Sequence, residues 1–283
     1  MSRLRFLNYD ILTPAFPYPA LILKKNSEKI LIISDLHIGW EVSLAKNGIH
    51  IPSQTPKLLK KILDLMKIHK PTRLIFLGDV KHTVTGAELS EWKEIPNLFE
   101  KISEIAQDIE IVQGNHDGNL EPLVPRNVKF ISAKGTLLPG NIGVFHGHAW
   151  PSIELLKSDY MVMGHLHPVI TFKDSFGFRT TKQVWIKTEC DLKKLGLSLI
   201  KHLGKRSYDQ INLITKEKNR MIKLIIMPSF NKLLSGQPVN MKSRHNENLY
   251  FGPILRSKSI IVDEAEVYLL DGTLLGKIDD LML

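Results

Sequence analysis

The stretch IEIVQGNHDG, residues 109–118, runs Ile109, Glu110, Ile111 and Val112 into Gly114 and then sets Asn115, His116 and Asp117 in a row. An apolar run of this length, closed by a glycine, reads as a buried strand, and the three residues after it are able to bind a metal or carry a proton. One such ending is weak. Four more repeat it along the chain. EKILIISDLH (28–37) ends in Asp35 and His37, RLIFLGDVKH (73–82) in Asp79 and His82, IGVFHGH (142–148) in His146 and His148, and YMVMGHLH (160–167) in His165 and His167.

Helical stretches lie between these runs. Thr55 and Pro56 read as an N-cap and first-turn proline, followed by an apolar face of Leu58, Leu59, Ile62, Leu63 and Met66 that Pro71 stops. Leu98, Phe99, Ile102, Ile105 and Ala106 make a second face after Pro96. Alternation of strand and helix implies βαβ units with right-handed crossovers, which bring the carboxyl ends of the strands to one sheet edge. Ligating residues far apart in sequence then converge where α/β folds place their sites. Seven of the eleven histidines fall in the five endings; His50, His69, His202 and His245 are scattered and read as surface or packing residues.

Composition bounds the rest. A chain of 283 residues with 43% hydrophobic and 24% charged residues has enough apolar content for a full core. The single cysteine, Cys190, excludes an intramolecular disulfide and a thiolate zinc site, so a metal must be held by histidine and oxygen ligands; a reducing, cytoplasmic setting is expected. Asp10, Pro14, Pro17 and Pro19 break the N-terminal stretch, which does not read as a signal peptide, and no apolar run approaches the roughly 20 residues that span a bilayer. No membrane association is expected.

The net charge of +9 is concentrated. Residues 182–223 hold eleven Lys/Arg against four Asp/Glu, and residues 194–220 alternate apolar and basic positions at helical spacing, so an amphipathic helix with a basic face is expected. Such a face is either a solvated surface or a patch that steers an anionic polymer, a nucleic acid for example. NENLYFG (246–252) is similar to a protease tag site but lacks the glutamine, and reads as native chain; Asp271-Gly272 between apolar runs predicts a hairpin that closes a second sheet.

The joint set SDLH, GDVKH, GNHD, FHGH and GHLH resembles the calcineurin-like metallophosphoesterase superfamily. ISDLHIGWE, NGIHIP, IIMPSFNKLLSGQPVN, GPILR and VYLLDGTLLGKI are similar, more narrowly, to a prokaryotic, largely archaeal branch of Icc-related phosphoesterases. The resemblance implies an α/β four-layer sandwich, two facing mixed β-sheets flanked by α-helices. It also implies a single domain over 1–283, with a basic, family-variable insertion at about 187–220.

Site roles carry over by the same resemblance. Asp35, His37 and His167 would hold a first divalent ion, Asp79 would bridge to a second, and Asn115, His146 and His165 would complete the second site. His116 would act as acid at the leaving group with Asp117 orienting it; His82 and His148 are left as outer or substrate-facing candidates, and Glu41, Asn231 and Arg256 as weaker ones. The cofactors implied are two divalent ions, manganese first, with iron, zinc or nickel also suited to the ligands. A metal-bridging hydroxide would then hydrolyse a phosphodiester. Asp79 is followed by Val80, Lys81 and His82, and the third motif ends in Asp117, which departs from protein phosphatases and leans toward diesterases and nucleases. A nuclease acting on DNA or RNA is the alternative, and an idle DNA-repair accessory or scaffold a remoter one.

Overall fold

A computed structural model describes residues 11–217, 219–241 and 252–283. His245, all but Gly252 of the 246–252 stretch, and the first ten residues of the N-terminal stretch lie outside the described residues. Chain order divides the strands into two mixed sheets. The first holds β1 (Leu12–Pro14), β2 (Ala20–Lys25), β3 (Glu28–Ile33), β4 (Arg73–Leu77), β5 (Asp108–Val112) and β6 (Lys129–Ile131), side by side in that order. From β3 to β6 the pairing is parallel.

The second sheet holds β7 (Thr136–Leu138), β8 (Ile142–Phe145), β9 (Tyr160–Met163), β10 (Pro168–Lys173), β11 (Arg179–Asp191), β12 (Met221–Ile226) and β13 (Gln237–Pro238), with the hairpin β14 (Glu266–Leu269) and β15 (Leu274–Lys277) attached through β11. That hairpin turns at Asp271-Gly272 and joins the second sheet, as the sequence predicts. The helices are α1 (Trp40–Lys46), α2 (Thr55–His69), α3 (Leu89–Ser103), α4 (Leu192–Leu203), α5 (Tyr208–Ile214) and α6 (Pro253–Arg256).

Strand alternation explains why there are four layers. Successive side chains leave a strand on opposite faces, so a strand apolar throughout must be covered on both. Leu31, Ile33, Leu74 and Phe76 pack under α2 and α3, whereas Ile30, Ile32, Ile75 and Leu77 face the second sheet, against Val144, Val162, Trp185, Ile225 and Tyr268. On its far side the second sheet turns Met161, Met163, Leu224 and Ile226 toward Leu195, Leu199 and Ile211 of α4 and α5. Each such buried side chain contributes about 1.5–3 kcal/mol.

Three helical expectations need correction. Gln54, not Thr55, precedes the first turn of α2, which begins at Thr55. The second helix starts at Leu89, so Pro96 lies inside it, and Ile105 falls beyond its end and is exposed. Residues 194–220 form no single basic helix: Gly204, at φ 86°, separates α4 from α5. Residues 187–191, expected in an insertion, belong to β11 and pair with β12, so only the excursion from 192 to 220 leaves the sheet.

Register also fixes where that excursion lies. Asp191 pairs with Met221 and Ile186 with Ile226, so α4 and α5 depart from the end of the sheet opposite the carboxyl end of β12. Two of the surplus cations are engaged: Arg220, at the excursion, with Asp159 at 3.1 Å, and Lys187, within β11, with Glu266 at 2.8 Å.

Candidate metal centre

The carboxyl ends of β3, β4, β5, β8 and β9 meet at one edge, and the loops after them are tied to one another by backbone bonds. The amide of Asp35 donates to Gly78 (3.1 Å), that of His37 to Asp79 (2.9 Å), that of Ile38 to Val80 (2.9 Å) and that of Gly164 to His146 (3.0 Å). A sixth loop, after β12, joins them through Phe230 and Asn231, whose amides donate to Ser34 and Asp35. Asp35, His37, Asp79, His165 and His167 all have φ between 46° and 67°, a left-handed conformation that non-glycine residues adopt rarely and that concentrates at functional sites. Clearance is as tight as the backbone is strained: a Cβ on Gly78 would overlap the His146 ring, and one on Gly114 would overlap Asp79.

Seven imidazoles gather into two groups. His37 lies 5.1 Å from His167, 4.7 Å from His116 and 5.4 Å from His82, ring centre to ring centre. His146 lies 5.1 Å from His165 and 5.3 Å from His148. Asp79 stands between the groups, with one oxygen, Oδ2, 3.4 Å from His37 Nε2 and 3.3 Å from His146 Nε2. Asp35 Oδ1 is 3.1 Å from His167 Nε2. The candidate donor atoms of Asp35, His37, Asp79 and His167 lie within 4.8 Å of one another, as do those of Asp79, His146 and His165.

The donor chemistry fits cations. His37 Nε2, His146 Nε2 and His167 Nε2 are buried and have no hydrogen-bond partner among the described residues, although each faces a carboxylate. An unsatisfied buried polar atom costs about 1–3 kcal/mol, and imidazole nitrogens and carboxylate oxygens that converge on one point suit a metal ion. Electrostatics agree. Burial opposes charge on Asp79, but His146 and His37 hold its carboxyl well below the usual range; burial likewise opposes charge on Asp35, which His167 and His146 hold low.

The imidazoles diverge. Burial works against a proton on His146, yet Asp79 and Asp35 outweigh it and raise the group to about 10. His167 is raised in the same way by Asp35. His37 is pushed down to about 3 and His165 to about 4, chiefly by burial. Bound cations would take the place of the protons on His146 and His167 and leave neutral donors.

Two residues sit differently from expectation. The Asp117 carboxylate makes no hydrogen bond to the His116 ring among the described residues: buried, it accepts the backbone N–H groups of Asp79, Val80 and Gly114, each at 2.8 Å, and thereby pins the β4 loop to the β5 loop. Burial, with Asp79 nearby, pushes it up to about 6. His116 Nδ1 instead meets the carbonyl of His82. Asn115 is exposed, and its side chain makes no hydrogen bond among the described residues.

His82 Nδ1 is 3.3 Å from His37 Nδ1, and His148, with burial pushing it down to about 4, borders the second group. Glu41 accepts the amide of Gln54, and Asn231 Nδ2 donates to Leu36 at 3.2 Å; both hold loops. Sequence reading missed Glu91, fully buried in α3, which accepts the amides of His82 (3.0 Å) and Thr83 (2.7 Å). It also missed Ser34, whose hydroxyl donates to Asp35 at 2.6 Å.

Among the described residues no helix is long and apolar enough to cross a membrane. No curated protein matches the chain in sequence. Among solved structures, a nuclease of Pseudomonas putida, MPE, aligns over 94% of this chain and 98% of its own at 14% identity, with a TM-score of 0.51. The phosphoesterase YfcE of E. coli aligns over 52% of this chain and 74% of its own at 19% identity, with a TM-score of 0.34. The model of the calcineurin-like phosphoesterase superfamily domain matches residues 29–185, more than half of the length. The two mixed sheets, the helices on their outer faces and the clustered histidines and aspartates are therefore those of a member of the calcineurin-like phosphoesterase superfamily, to which this chain belongs.

Proposed function

We propose that the chain is a phosphodiester hydrolase with a dinuclear metal centre. Asp35, His37 and His167 would hold one ion, Asn115, His146 and His165 the other, and Asp79 would be shared between them. The observation that supports this most is the placing of Asp79 Oδ2 between two unpartnered imidazole nitrogens of different histidine groups. Divalent ions held there, manganese or alternatively iron, zinc or nickel, would supply Lewis-acid charge for the phosphoryl oxygens and an activated water.

The chain's own residues do the rest. His116 Nδ1 faces a carbonyl and donates to it, so Nε2 is the ring atom that would pass a proton to a departing alkoxide. Such a donor contributes on the order of 10² to 10⁴ in rate. Asp117 is a positioning residue, and Glu91 sets the height of the loop that carries His82. His148 and His82 stand beside the two histidine groups as substrate-facing residues.

Side-by-side assay of bis(4-nitrophenyl) phosphate and 4-nitrophenyl phosphate with Mn²⁺ tests the reading: the diester should be the better substrate. Preference for the monoester would overturn the diesterase assignment, and inactivity on both after metal loading would overturn the hydrolase one. A nuclease is the second reading, supported by the nuclease MPE, which aligns along nearly all of both chains. Polynucleotide cleavage would then fall steeply with salt while small-diester hydrolysis would not, because only the former releases many counterions.

A further inference from the structure

The hairpin of β10 and β11 departs from the sheet at the edge that carries the metal centre. Ile186 pairs with the last residue of β12, Ile226, and Val184 is the outermost residue of β11 paired with β14, so residues 179–183 run on with β10 as their partner, and β10 begins directly after His167. Five further residues at about 3.3 Å each carry the start of β11 roughly 16 Å beyond that pairing. Residues 172–182 are all exposed.

The tip is built, not frayed. Asp174 Oδ1 accepts the amides of Phe176 and Phe178, both at 2.9 Å, the Asp174 amide donates to Phe178, and Gly177 supplies the left-handed turn at φ 89°. This ordered turn turns two rings outward: Phe176 is 86% exposed and Phe178 74%. Behind them Lys173 and Arg179 stand directly opposite one another across the two strands, and neither has an ion-pair partner among the described residues. Like charges opposite one another in a ladder are destabilising, which leaves a place for an anion. Lys182 lies over the Phe172 ring at 5.8 Å. Asp174, the one carboxylate in the exposed stretch 172–182, is occupied within the turn.

We propose that this hairpin docks a single-stranded polynucleotide, with phosphates against Lys173 and Arg179 and bases stacked on Phe176 and Phe178, and feeds it toward the metal centre. Aromatic faces joined to unpaired cations are what a single strand requires, since every base offers a π-face and every linkage a charge. Two rings followed by Thr180 and Thr181 offer little to a bilayer. At the hairpin base a cleft of about 430 Å³ is lined by Lys182, Gln183 and Lys232, with Asp271 on its other side, and borders the loop whose Gln237 amide donates to His167. The basic helices α4 and α5 leave from the opposite end of the sheet, so they do not lie on this path. The inference rests on the phosphodiesterase reading only for the destination of the strand.

Anisotropy of a fluorescein-labelled oligothymidylate with the full chain in EDTA tests docking without cleavage. Phe176→Ala/Phe178→Ala should weaken binding by about tenfold or more. Lys173→Ala/Arg179→Ala should reduce the slope of log K against log salt by about 1.4, two phosphate contacts at roughly 0.7 each. All four positions are exposed, so the fold should persist, and hydrolysis of bis(4-nitrophenyl) phosphate with Mn²⁺ should be unchanged. Unaltered oligonucleotide affinity in both variants, no binding by the native chain, or hairpin-dependent binding to phosphatidylserine vesicles in place of the oligonucleotide would each overturn the proposal. Hairpin-dependent binding together with inactivity on the diester would uphold docking and sink the hydrolase reading instead.

Discussion

Asp79 illustrates how much one residue depends on its neighbours. Its Oδ2 faces two histidine groups, its Oδ1 accepts the amide of His116 at 2.9 Å, and its own amide is held by Asp117. Asp117→Asn would turn an amide NH₂ toward backbone donors; we expect metal affinity to drop about 10- to 100-fold, read by titration with Mn²⁺, and an unchanged affinity would refute the positioning role. Gly114→Ala should displace Asp79 and lower metal content while the circular dichroism spectrum stays native. The clustering of these histidines and aspartates was legible because each follows an apolar run. The role of Asp117 was not, because its partners are backbone amides supplied by a loop 36–38 residues away. Cys190, whose thiol burial pushes up to about 12, should react with a disulfide reagent at pH 8 only as the protein unfolds, and prompt labelling of the native state would contradict its burial.

Among the elements, strands were easier to read than helices. Apolar runs covered on both faces announce themselves, whereas α3 opens with an exposed Leu89 and Trp92 around a buried Glu91, an inverted pattern that hid its first two turns. Pro96 inside α3 cannot donate to the carbonyl of Trp92. Replacing it by alanine should stabilise the protein by about 2 kcal/mol in denaturant unfolding, the helix gain of about 3 less an unfolded-state entropy of up to about 1; a destabilised variant would show that the helix requires its bend.

The β11–β14 pairing carries a pH signature. Burial opposes charge on Glu266, but the Lys187 ammonium at 2.8 Å and the Tyr268 hydroxyl at 2.7 Å hold its carboxyl below the usual range. A folded-state value below the unfolded one gives stability that is present above the unfolded pKa and disappears as pH falls through the folded one. Lys187→Met should therefore lose more Tm at pH 7 than at pH 3; an equal loss at both would assign the residue a packing role alone.

At the scale of the molecule, two sheets face one another so that six loops from both meet at a single edge, and this convergence is what dispersed motifs required. Convergence from βαβ crossovers was legible for the first sheet. The way the chain passes to a second sheet, the docking of the Phe230–Asn231 loop and the outward hairpin were not, because they depend on register between strands far apart in sequence. Concentrated positive charge at 182–223 pointed to a binding surface, but the topology sends most of it to the far end and leaves Lys182 near the site.

Metal content by elemental analysis tests the central claim most directly. After equilibration with Mn²⁺ and removal of free ion, the native chain should retain two ions and Asp79→Asn none, because that substitution removes the charge shared by both histidine groups. Two ions retained by the variant, or none by the native chain, would contradict the bridging role of Asp79 and the hydrolysis built on it.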